Sequence, residues 1–81
     1  MKRMYVGNLP YSSSEDDLRD LFSQYGEVGD VNVVEDRETG RSRGFGFVEM
    51  DQAQAEEAMS NLDGTQFGGR TLKVNEAKPR Q

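Results

Sequence analysis

Two helical stripes set among four alternating stretches constrain this chain more than any other feature of its 81 residues. Leu18, Leu21, Phe22 and Tyr25 fall at i, i+3, i+4 and i+7, one face of a helix, and Ala55, Ala58, Met59 and Leu62 repeat the spacing. Ser14 with Asp17 three residues on reads as a capping-box pair, and Gly26 and Gly64 stand just past the two helix ends. Period-two alternation runs roughly over Arg3–Asn8, Val28–Val34, Phe45–Met50 and Arg70–Asn75. Pro10 closes the first stretch, because proline cannot continue a ladder. Glu38-Thr39-Gly40 reads as a loop tip, and Gly68-Gly69 as the turn into the last strand.

The order is therefore strand, helix, strand, strand, helix, strand. Two crossover helices sharing one face of a sheet predict an α+β protein, a ferredoxin-like βαββαβ sandwich. Its four-stranded antiparallel sheet would carry both helices on one side. At this length one domain is expected, over residues 1–77, with 78–81 as a short polar tail. A domain this small holds a thin core and no deep catalytic cavity.

Neither cysteine nor histidine is present, which excludes disulfides, thiol nucleophiles, imidazole bases and nearly every zinc site. No cofactor is expected. No apolar run approaches the roughly 20 residues that span a bilayer, and Met1-Lys2-Arg3-Met4-Tyr5 lacks the apolar stretch of a signal peptide. A soluble, cytoplasmic monomer without membrane attachment is the expectation. The net charge of −5 argues at face value against nucleic acid. Its distribution does not: Ser14–Tyr25 carries −3, Asp51–Asp63 carries −4, and the remainder is about +2. The acids thus sit on the helices, and the sheet is free to be neutral or basic.

If the helices cover one face of the sheet, alternation says what the other face shows. Arg3, Tyr5 and Gly7 oppose Met4 and Val6; Phe45, Phe47 and Glu49 oppose Gly46, Val48 and Met50; Thr71, Lys73 and Asn75 oppose Leu72 and Val74. The stripes holding Arg3, Glu49, Lys73 and Asn75 cannot all be buried without partners, so the aliphatic stripes face the helices. Tyr5, Phe45 and Phe47 then lie on the solvent side, where a monomeric domain ordinarily avoids aromatics. Alternation alone leaves three readings: cross-strand pairs that stiffen the sheet or sit under a tail, a dimer interface, or a platform on which bases stack.

The residues themselves then become familiar. Arg43-Gly44-Phe45-Gly46-Phe47-Val48-Glu49-Met50 fits the octameric ribonucleoprotein pattern at seven positions, with Met50 in place of the final aromatic. Met4-Tyr5-Val6-Gly7-Asn8-Leu9 fits the shorter hexameric motif, apart from Met where a branched aliphatic is usual. The chain resembles an RNA recognition motif (RRM) domain from Arg3 to Ala77, and is most similar to short bacterial and cyanobacterial single-RRM proteins and the RRM of plant glycine-rich RNA-binding proteins.

The resemblance implies a non-enzymatic module for single-stranded RNA, with single-stranded DNA left open. It implies that Tyr5 and Phe45 stack on successive bases and that Phe47 inserts against a ribose or between sugars. Arg43 would pair with a phosphate. Asn75 and Glu76 would meet base edges, Arg3 and Lys73 would supply charge, and Arg37 and Arg41 would clamp the strand. Gly44 and Gly46 would let backbone and ligand approach closely. Met50, on the aliphatic side, bears on packing.

Two rivals remain at this stage. One is a protein-interaction module on the same fold, docking through the helices or the aromatic sheet; helix docking would ignore the sheet aromatics. The other is a small acylphosphatase-like hydrolase, which would want an anion-cradling loop that Asn8-Leu9-Pro10-Tyr11 does not offer. Gly44-Phe45-Gly46 lies within a strand and precedes no helix, so it is no phosphate loop. A calcium loop begun at Asp36 would place Phe47 where its glutamate belongs. Phe67 reads as a plug beneath the last hairpin.

Overall fold

The computed structural model describes residues 1–10, 12–35, 38 and 42–77, and the side chains of all these but 35, 42 and 43. The elements follow the expected order: β1 (Lys2–Gly7), α1 (Glu15–Ser23), β2 (Val28–Glu35), β3 (Ser42–Met50) and α2 (Gln52–Leu62). A short hairpin, β4 (Gln66–Phe67) with β5 (Arg70–Thr71), leads into β6 (Lys73–Glu76). The main sheet has the order β2-β3-β1-β6, antiparallel at every junction, which is the expected ferredoxin-like topology.

Local chemistry accounts for the helix boundaries. Ser14 Oγ accepts from Asp17 N–H at 3.2 Å, and Asp17 Oδ2 accepts from Ser14 N–H at 3.0 Å. That reciprocal pair satisfies two of the donors a helix start leaves open, while Glu15, Asp16 and Asp17 suit its positive end. Beyond the end of α1, Gly26 adopts φ +146°, and a Cβ there would lie 2.5 Å from Gln54 Cγ. Asp51 starts α2 with no side-chain cap of its own.

The helices bury Leu18, Phe22, Ala55, Ala58 and Leu62 against Met4, Val6, Val48 and Met50, all at 5% exposure or less. The aliphatic stripes therefore do face the helices, and Met50 is a core residue. Phe67 packs on the edge of this cluster.

One strand differs from the reading of the sequence. The expected run Arg70–Asn75 breaks at Leu72. Arg70 and Thr71 pair back on Phe67 and Gln66, across a turn in which Gly68 and Gly69 take φ +59° and +84°. Two consecutive positive φ values make the primed turn that fits strand twist, and glycine reaches them without strain. Leu72 then donates its N–H to Thr65 C=O at 2.7 Å and accepts from Gly64 N–H at 2.9 Å, so its fully buried side chain is held beside the end of α2. Only from Lys73 does the chain join β1, with Asp63 Oδ1 accepting from Val74 N–H at 3.0 Å.

Candidate nucleic-acid interface

The helix-free face of the sheet is organised in rows that cross the strands. β3 and β1 are central, and their register sets Tyr5 opposite Phe47 and Gly7 opposite Phe45. Asn32 of β2 lies opposite Phe47, and Asn75 of β6 opposite Tyr5. One row thus reads Asn32, Phe47, Tyr5, Asn75: two aromatic rings between two amides. A second row reads Phe45, Gly7, Lys73.

The three rings touch one another. Tyr5 and Phe45 have centroids 5.9 Å apart and are tilted by 33°; Phe47 meets both edge-on, at 6.0 and 6.3 Å. These are the offset and edge-to-face arrangements that aromatic quadrupoles favour. Each ring is half-buried, with its inner side against its neighbours. Arg3 holds its guanidinium carbon 4.2 Å from the Phe47 centroid, a cation–π contact.

Glycines shape the floor beneath the rings. A Cβ on Gly7 would lie within 2.6–2.9 Å of the Tyr5 ring, so the phenol lies flat over this residue because nothing projects from it. At Gly46 a Cβ would lie 2.5 Å from Asn32 C=O, so the neighbouring strand, and not a ligand, demands this glycine. Gly44 has φ +86°, the left-handed region, while its C=O accepts from Leu9 N–H at 2.8 Å.

Of the residues expected at the site, Arg3, Tyr5, Phe45, Phe47, Lys73 and Asn75 share this face. Glu76 does not share it. Its register partner is Met4, so its side chain is on the helix side, where Oε1 lies 2.7 Å from Lys2 Nζ. Lys2 Nζ also lies 3.3 Å from Glu56 Oε1, and the hydrogen bond to Glu76 above all holds its ammonium above the ordinary pKa of 10.5. A side-chain contact from Glu76 to bases does not follow; its backbone at the strand end stays near the face. Arg37 and Arg41 lie outside the described residues, as does the side chain of Arg43.

Two polar residues escaped the reading of the sequence. Asn32 joins the aromatic row, yet its strand carries register shifts between Val28 and Val31 and between Val33 and Glu35, and each breaks strict alternation. Asn8 sits at φ +60° at the end of β1, donating to Thr71 C=O at 2.6 Å and accepting from Arg70 Nε at 3.3 Å. It ties the platform to the β4–β5 hairpin. Asparagine is among the residues that tolerate the left-handed region, and that preference was the available signal. Among the described residues no group of acidic side chains is arranged to hold a metal, and no helix is long and apolar enough to cross a membrane.

Known proteins share this arrangement. A family model described as the RNA recognition motif matches residues 4–73. The chain is 57% identical over 79 residues to RbpE of Nostoc sp., an RNA-binding protein by name, covering 96% of this chain and 80% of the relative. Among solved structures, the RNA-binding protein PG1 superposes with a TM-score of 0.95 at 51% identity, covering 100% of this chain and 99% of the other. The Rna15 RRM with bound RNA (GU) superposes with a TM-score of 0.87 at 36% identity, covering 95% and 83%.

Proposed function

The chain belongs to the RNA recognition motif family and so serves RNA binding, and we propose that it holds a single strand of about two to four nucleotides across its helix-free face. The observation that carries this is the cluster of Tyr5, Phe45 and Phe47 on the two central strands, opposite the helices. Stacking on a side chain needs a ring whose outer face is open and whose inner side is supported, and the half-buried rings of Tyr5 and Phe45 suit this, while Arg3 lies over Phe47.

The geometry supports a division of labour. Tyr5 and Phe45, neighbours tilted by 33°, take successive bases, while Phe47, with Arg3 over it, lies against a ribose. Lys73, one row over from Tyr5, meets the backbone, and Asn75 meets a base edge. By the family resemblance, Arg43, Arg37 and Arg41 hold phosphates. The Rna15 RRM, solved with RNA bound, supports RNA as the ligand of this fold. The reading is of a non-catalytic, cytoplasmic, monomeric module: residues 1–77 form the domain and 78–81 a tail. Its preference for RNA over DNA would come from contacts to the 2′-hydroxyl.

The test compares Tyr5→Ala with Glu57→Gln, a change on an exposed residue of α2. By fluorescence anisotropy on a short labelled RNA, Tyr5→Ala is expected to weaken binding by about 1–3 kcal/mol and Glu57→Gln to leave it alone. The reverse result would move the binding surface to the helices. The same titration with DNA of identical sequence measures the 2′-hydroxyl contribution.

A further inference from the structure

Beside Phe47 the open face sinks into a shallow depression walled by Arg3, Asp30, Asn32 and Glu49. Arg3 and Glu49 are direct cross-strand partners, the arrangement in which opposite charges ordinarily pair. They do not pair here, because the guanidinium is drawn over the Phe47 ring. Among the described residues no hydrogen bond or ion pair engages the carboxylates of Asp30 and Glu49 or the amide of Asn32. Asp30 and Asn32 are exposed and Glu49 half-buried, so their polar atoms are open to a ligand.

The charges in this depression say what it suits. Two carboxylates against one guanidinium give a local balance of −1, which disfavours a phosphate. A neutral base edge rich in N–H donors meets no such penalty. Guanine alone among the four bases has two adjacent donors on its Watson–Crick edge, N1–H and the N2 amine, spaced for the two oxygens of a carboxylate. It also presents O6 and N7, the acceptors that arginine recognises in bidentate fashion. Adenine and cytosine each offer a single amine beside acceptors that face a carboxylate badly, and uracil offers one N–H between two carbonyls.

We propose that this depression is a guanine-selective subsite, in which Glu49 and Asp30 accept from the N1–H and N2 amine while Arg3, on Phe47, faces the acceptor edge. The proposal rests on the reading that this face binds RNA bases. It adds a specificity that stacking cannot supply, since every base has a π face. The carboxylates serve here as readers of base donors on a chain that places many of its other acids on the helices.

The test uses the wild-type protein and five pentanucleotides, UUXUU with X as guanosine, inosine, adenosine, cytidine or uridine, followed by amide shifts and anisotropy. Guanosine is expected to bind about tenfold tighter than uridine, with inosine between them because it lacks the N2 amine. In an Asp30→Asn, Glu49→Gln double variant the guanosine-to-uridine ratio is expected to fall below about threefold. Equal affinity for all five RNAs, with shifts at Tyr5, Phe45 and Phe47, would overturn the guanine subsite and leave the platform standing. Full guanosine preference in the double variant would overturn the assignment to these carboxylates. Silence at the aromatic strands with every RNA would overturn the platform and the subsite together.

Discussion

At the scale of single residues, the platform depends as much on what is missing as on what is present. Tyr5 can lie flat because Gly7 has no side chain, and β2 can approach β3 at Asn32 because Gly46 has none. Gly46→Ala would drive a methyl group to 2.5 Å from the Asn32 carbonyl, which the two strands can accommodate only by separating. The expected cost is about 1–3 kcal/mol of stability, measured by urea unfolding. RNA affinity should fall as well, because the Asn32–Phe47 pairing lies at the point that opens. An alanine variant of unchanged stability would mean that the strands are not held this close. The aromatic positions and their side of the sheet were legible, since both motifs lie in strands that alternate cleanly. Asn8 was not, because its left-handed backbone and its bonds to Thr71 and Arg70 join residues more than sixty positions apart.

At the scale of elements, the helices were the most legible part, and their caps are separable from the binding face. Ser14→Ala removes the acceptor for Asp17 N–H, and should lower stability by about 1 kcal/mol while leaving RNA affinity unchanged. A thermal melt beside an RNA titration checks both halves. The last strand was less legible. An alternation over Arg70–Asn75 cannot show that Leu72 hands its hydrogen bonds to Thr65 and Gly64, because that depends on where α2 ends. The second strand hid its face for a related reason: two register shifts make its sequence period differ from its spatial one. Glu76, too, changes its role with register, for its pairing with Met4 turns it toward Lys2. That contact gives a pH prediction. A lysine whose folded pKa is raised contributes stability that is complete below its unfolded value and lost as pH climbs through the folded one. The Lys2 ammonium, followed by NMR, should therefore titrate above 10.5. Glu76→Gln should bring it down, and an unmoved value would refute the pair.

At the scale of the whole molecule, an acidic chain binds a polyanion because its charge is divided between its two faces. The chain carries −5 overall, yet the acids of α1 and α2 project from the helical layer, and Arg3 and Lys73 stand on the opposite side. On the proposed binding mode, affinity comes from stacking plus a few phosphate contacts. With three or four phosphates neutralised on a single strand, binding should weaken about 20- to 50-fold between 50 and 200 mM salt. A salt-independent affinity would remove the phosphate contacts from the account. The fold as a whole was legible because two crossover helices and four strands of this order have few ways to pack.

The central claim, that RNA bases stack on the helix-free face, is tested most directly by titrating the isotopically labelled protein with pools of short single-stranded RNA and following backbone amide shifts by NMR. The account predicts shifts concentrated at Tyr5, Phe45, Phe47, Lys73 and Asn75, with α1 and α2 unmoved. Silence on those strands at about millimolar RNA, well beyond the 10⁻⁴–10⁻⁶ M range typical of nonspecific nucleic-acid binding, would contradict it. Shifts confined to the helices would contradict it equally.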